Sequence, residues 1–272
     1  MKKIFILLCF ISSAGFAQKS NNVQLVNYQK CEIINDTLIY SEGTKINDYY
    51  VVKADPEFDV EYKYAAFAEY SDYKSDKLDA IILKHWSSPL RIYIDQSIDK
   101  KIKKKFKLYI KQFSKYKIID MKIVNAIKLS NYIVKTTDEK LEIKKATKRA
   151  YPFYEGITYS FTSDLNNKFI FGNLLINTNQ VKDKELQFQK LKQYFYLSLG
   201  NFIGQFDLPQ DSMLSIDYKT NEIISDFDLK ILKHHYYFYN KNTIDVSIYN
   251  KIQAKLRENK YLKENLKIKI NL

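Results

Sequence analysis

The sequence predicts an α+β fold, a mixed and mostly N-terminal sheet followed by helices. Three observations carry this expectation. Short apolar runs with period-two alternation, such as Ile92 with Ile94 and Phe169 with Phe171, mark strands. Ile98, Ile102, Phe106, Ile110 and Phe113 recur at spacings of four, four, four and three, the stripe of an amphipathic helix. From about residue 183 onward the chain reads as further helices. Of its 272 residues, 46% are apolar and 15% aromatic, enough to build a large core and unlike a disordered chain.

Taken in order, residues 1–17 read as a cleavable signal peptide. Lys2 and Lys3 form a basic start, and residues 4–11 form an apolar run too short for a bilayer span of roughly 20 residues. Small residues, among them Gly15 and Ala17, precede a cut ahead of Gln18. This predicts a secreted or periplasmic protein with no membrane-spanning segment after cleavage. Cys9 lies inside the apolar run with Leu8 before it, which does not suit a lipid anchor, and cleavage leaves Cys31 without a disulfide partner. Residues 18–87 alternate short apolar runs (31–34, 37–40, 49–53) with turn residues and predict a small β-rich extension. The main domain, 88–240, is expected to contain strands at 90–95, 118–126, 132–135, 157–162 and 169–176. Helices are expected at 97–116, 183–203 and 226–238, with an aromatic segment at 151–154 and a helical tail over 241–272.

The formal net charge of +13 falls to +11 without Lys2 and Lys3. Seven lysines between positions 100 and 111 populate the polar faces of the first long helix, where a solvated surface is the simple reading. No helix-turn-helix, zinc-finger or aromatic-platform motif accompanies them, so a nucleic-acid partner is not expected. Six glycines leave no phosphate-cradling loop and no G-x-S-x-G elbow. His234 and His235 are neighbours whose side chains diverge by about 100° on a helix, a poor chelating pair, and read as polar caps beside aromatic residues. Asp226 and Asp228 read as a helix start.

Residues 197–207, Leu-Ser-Leu-Gly-Asn-Phe-Ile-Gly-Gln-Phe-Asp, resemble the zinc-binding helix and turn of the metzincin metalloproteases, H-E-x-x-H-x-x-G-x-x-H, with Asp in place of the third His as in some members. Gly204 matches the glycine at which the helix breaks, and Asp207 stands at the third-ligand position. Met213 lies where a Met-turn would follow. Ser225, Asp228 and Tyr236 reproduce the S-x-x-D-x(7)-Y pattern of matrixin-like members. The resemblance covers about residues 86–238 and implies a zincin-like domain behind the β-rich extension. A second reading makes residues 201–207 a plain helix end with Gly204 as its cap.

The departures decide what the resemblance implies for chemistry. Leu197 and Asn201 stand at the two histidine positions and Ser198 at the catalytic glutamate. Leucine has no donor atom, asparagine is a weak neutral ligand, and serine is no general base near neutral pH. The expectation is a pseudo-metalloprotease: no catalytic residue, no metal, no cofactor, and a binding or structural role toward a peptide or protein. The strand at 169–176, with Phe169 and Phe171, is expected to be the sheet edge that pairs with an extended peptide. Two rival functions are a hydrolase of unrecognised mechanism using Asp207, and an envelope-associated structural domain with a basic surface.

Overall fold

The computed structural model describes residues 31–34, 37–40, 49–52, 56–67, 83–86, 89–142, 155–165, 168–205, 207–219, 224–238, 249–250, 254 and 266–269. The expected leader, 1–17, and the aromatic segment, 151–154, lie outside these residues. In chain order the elements begin with β1 (Cys31–Ile34), β2 (Thr37–Tyr40), β3 (Tyr49–Val52), α1 (Pro56–Phe67), β4 (Leu90–Ile94) and α2 (Lys100–Ser114). They continue with β5 (Met121–Ile123), β6 (Tyr132–Thr136), β7 (Ile157–Ser163), β8 (Phe169–Ile176), α3 (Lys184–Gly200), α4 (Asp226–Lys233) and β9 (Leu266–Lys269). A single π turn, His234–Phe238, prolongs α4. No described helix is long and apolar enough to cross a membrane.

The chain divides into two units, residues 1–54 with 254–272, and residues 55–253. The smaller unit holds a sheet of order β1-β2-β9-β3, in which β9 runs parallel to β2 and antiparallel to β3. Within the expected helical tail, residues 249–250 and 254 are helical, but 266–269 are a strand instead. Leu266 and Ile268 alternate with Lys267 and Lys269, a period of two that suits a strand. The boundary between the units also falls near residue 54 rather than 87, because the segment read as entirely β-rich contains α1. Its signals are Pro56 at the first helical position, Glu57 and Asp59 in the first turn, and the buried series Phe58, Tyr62 and Ala65.

The larger unit is built on a five-stranded sheet of order β5-β4-β6-β8-β7. Strands β5, β4, β6 and β8 are parallel, and β7 closes one side antiparallel to β8. Leu90, Ile92 and Ile94 of β4 face the core with Tyr132 and Val134 of β6 and with Leu174 and Ile176 of β8, as the two-residue side-chain period requires. Against this face lie α2, which buries Ile102, Phe106, Tyr109, Ile110 and Phe113, and α3. The Phe195 ring of α3 meets Phe106 and Tyr132 edge-on, both with centroids 5.6 Å away, and so joins both helices to the sheet. Trp86 lies over Gly172 of β8, where an added Cβ would come within 3.0 Å of the indole and 3.1 Å of Tyr132.

The pairing overturns one expectation about the sheet. Strand β8 is bonded to β7 on one side and, over residues 172–176, to β6 on the other, with Phe169 bridged to Trp86 before β6 begins, so β8 is not an edge strand. The chain turns back after β7 and lays β8 inside it, and Phe169 is buried, stacked on Phe161 with centroids 3.9 Å apart. The edges of this sheet are β5 and β7.

Candidate functional site

Helix α3 starts where the Asp183 carboxylate accepts the Leu186 N–H at 2.7 Å, and every residue from Leu191 to Gly200 is buried. It ends three residues before the expected 203. Asn201, not Gly204, makes the break by adopting the left-handed conformation (φ 52°, ψ 41°), and the Phe202 N–H then bonds back to Leu197 O at 2.9 Å. Phe202 folds under the helix so closely that a Cβ at Gly200 would clash with its ring. Gly204 carries no left-handed backbone.

The segment after the break is stitched down on two sides. Ile203 N–H bonds to Ala65 O of α1 at 2.9 Å and Gln205 N–H to Leu214 O at 2.6 Å, while the Gln205 side chain donates to Glu61 O at 3.1 Å. Asp207, beyond this seam, is exposed. Glu61 of α1 lies near enough that its carboxyl is raised above the usual range, first by burial and second by the Asp207 charge.

The structure thus places each residue of the resembling motif. Leu197 is buried in the core. The Ser198 hydroxyl donates to Phe195 O at 2.7 Å, so the Tyr132 phenol, 2.7 Å away, is the donor to Ser198 Oγ. Burial pushes that phenol well up, and no base faces the serine in this pairing. Leu197 and Ser198 lie in packed surroundings, the half-buried Asn201 caps the helix, and Asp207 is exposed.

Met213 is buried beside α3, where its sulfur accepts the Tyr109 hydroxyl at 3.2 Å. Its loop is held from both ends by side chains that sequence reasoning passed over. Gln193, one turn before Leu197, donates through its amide to Met213 O at 3.2 Å and to Ser215 O at 2.7 Å. Lys190 donates to the oxygen of that same amide at 3.0 Å, and its amine is lowered to about 8 by burial.

From the other side, Asp228 of α4 accepts the Ser212 hydroxyl at 2.7 Å and the Met213 N–H at 2.8 Å. Asp226 and Asp228 do lie in the first turn of α4 as expected, but Asp228 is fully buried, and burial raises its carboxyl to about 6. Ser225 does cap α4, accepting the Asp228 N–H at 3.1 Å, and Tyr236 donates to Leu199 O. The S-x-x-D-x(7)-Y spacing was the one signal for this clamp.

All three histidines are buried, so His234 and His235 are not polar caps. His235 Nε2 faces Lys84 O at 3.0 Å, and a carbonyl only accepts, so Nε2 carries the proton and Nδ1 accepts from Tyr62 at 3.0 Å. Burial lowers His85 to about 4 and both His234 and His235 to about 3, so all three are neutral near pH 7. His234 lies edge-on to Tyr62 with centroids 4.5 Å apart.

Among the described residues no group of three or more His, Cys, Asp or Glu side chains is placed to hold a metal ion. The donor set at 197, 201 and 207 does not fit catalytic zinc, because Leu197 has no donor atom and Asn201 offers only a neutral amide. No family model matches the chain, and no curated protein matches it. The class defined by the fold is an α+β protein with a five-stranded mixed sheet backed by two long helices.

Proposed function

We propose that this chain is an exported, catalytically silent zincin-like protein that serves binding or structure. The observation that carries the reading is the fate of four motif positions. Leu197 is packed in the core, Ser198 is bonded to Tyr132 and Phe195, Asn201 caps the helix, and the Met213 loop beside them is held by Asp228 and Gln193. A frame kept in this order with its reactive positions refilled is what supports a silent relative over an active one. Binding then falls to the backbone edge of β7, Ile157–Ser163, which can accept an extended peptide as a further strand.

Metal content and turnover test this directly. The purified protein is expected to hold no stoichiometric zinc, to keep its melting temperature in a chelator, and to leave peptide libraries uncut. One equivalent of zinc, with a melting temperature that falls on chelation, would overturn the silent reading. The nearness of Glu61 to Asp207 favours a second reading, a hydrolase using that carboxylate pair. Turnover that survives the chelator and is lost in Asp207→Asn would establish it. Export is tested by N-terminal sequencing, which is expected to begin at Gln18.

A further inference from the structure

The buried side of α2 fixes the direction of its other side. Lys101, Lys104, Leu108, Lys111 and Lys115 follow one another at spacings of three, four, three and four, so they share one stripe of the helix. All five are exposed, with Lys100 beside them, and Leu108 leaves 53% of its surface in water. The stripe is about 21 Å long at the rise of an α-helix. No acidic residue occurs in α2. The ion pairs seen among the described residues join Lys105 to Glu185, Lys184 to Asp99 and Lys140 to Glu142, and leave the lysines of the stripe to solvent. The helix needs no ordering step to present this face, because Phe106 and Phe113 hold it on α3 and the sheet.

We infer that the outward face of α2 docks this protein on an anionic lipid bilayer. Four to five lysines on one side of a rigid helix supply the attraction to negative headgroups, and Leu108 at the middle of the stripe is the side chain that enters the interface. The leucine decides between partners. A phosphate backbone gains nothing from an apolar group between its lysine contacts, whereas a bilayer buries it. With no described helix suited to spanning, the contact is peripheral and reversible.

The test uses the full mature chain with vesicles of phosphatidylcholine alone or mixed with phosphatidylserine. Sedimentation is expected to show binding to the mixed vesicles at low salt, little to the neutral ones, and release as salt rises. Changing Lys101, Lys104 and Lys111 together to Glu should weaken binding at least about a hundredfold, at roughly fivefold per lysine lost. The same charge change at exposed Lys128, Lys135 and Lys219, away from the stripe, should weaken it far less. Leu108→Trp should shift its emission to the blue on mixed vesicles, above the constant signal of buried Trp86. Equal losses from the two triple variants would overturn the assignment, since net charge alone would then explain the binding. Duplex DNA bound more tightly than the vesicles, with the Trp at 108 unshifted, would also overturn it, as would no vesicle binding at low salt by a triple-lysine parent whose melting curve shows it folded.

Discussion

Helices α2 and α3 pack on the same sheet and on each other, yet they solve opposite problems. Helix α2 separates its chemistry by face, with five buried apolar residues on one side and lysines in water on the other. From Leu191 to Gly200, α3 is buried on every side, so its polar residues sit inside the protein and hold neighbouring segments in place. Gln193 and Ser198 do so with bonds to the Met213 loop and to Tyr132. The difference teaches that a charge on α2 is a surface property, whereas a polar group on α3 is part of the packing.

The largest expected effect is at the contact between the two helices. Phe195→Ala removes a fully buried ring that touches Phe106, Tyr109, Phe113 and Tyr132, and should cost about 3–5 kcal/mol in denaturant unfolding. A loss under 1 kcal/mol would break the claim that Phe195 joins both helices to the sheet.

Acid separates the two environments next. Each of the three histidines has a folded value below its usual 6.5, about 4 for His85 and about 3 for His234 and His235. Their contribution is fully present above pH 6.5 and is lost as pH falls toward those folded values, by up to about 1.4 kcal/mol per pH unit for each. Asp228 runs the other way: its folded value, about 6, exceeds its usual 3.8, so its contribution is present below pH 3.8 and is lost as pH rises through 6. Three groups against one leave a net loss of stability between pH 6 and 4. Melting curves across that window should show it, and His234→Phe, which keeps a ring against Phe58 and Tyr62, should flatten the net slope by about half. A stability that does not change between pH 6 and 4 would count against buried neutral histidines.

Smaller effects sharpen the contrast. Gly172→Ala must push Trp86 or Tyr132 aside by a few tenths of an ångström and should cost about 1–3 kcal/mol by chemical denaturation. Lys104→Gln, on the exposed face of α2, should change stability by no more than about 0.5 kcal/mol. Should the two substitutions prove equally costly, the division between the packed core under α2 and its solvated face would be wrong.

Periodicity made the sheet and α2 readable. Strand β8 follows the expected 169–176, and the buried residues of α2 include all four of the expected stripe that lie within it, from Ile102 to Phe113. Helix α3 was readable only in length and composition, because a helix buried all round has no polar face to give it a phase. Its end was misplaced for a local reason: Asn201 tolerates the left-handed backbone that a glycine would be expected to supply, so Gly204 drew the boundary too far. Strand order is a tertiary property, and nothing in Phe169 or Phe171 tells that β7 will pair outside them. The clamp of Asp228 and Gln193 escaped for the same reason, since burial of a polar side chain depends on segments more than a dozen residues away.

Strand β9 lies between β2 and β3, and among the described residues β3 has no other neighbour in its sheet. About two hundred residues separate Val52 from Leu266, so at a synthesis rate of roughly 5–20 residues per second β3 waits on the order of 10–40 s for its partner to be made. The whole span from 55 to 253 emerges in that interval and can collapse on its own contacts first. The small sheet is therefore the last part of the molecule to close, and the backbone edges of β2 and β3 are open to other chains until it does.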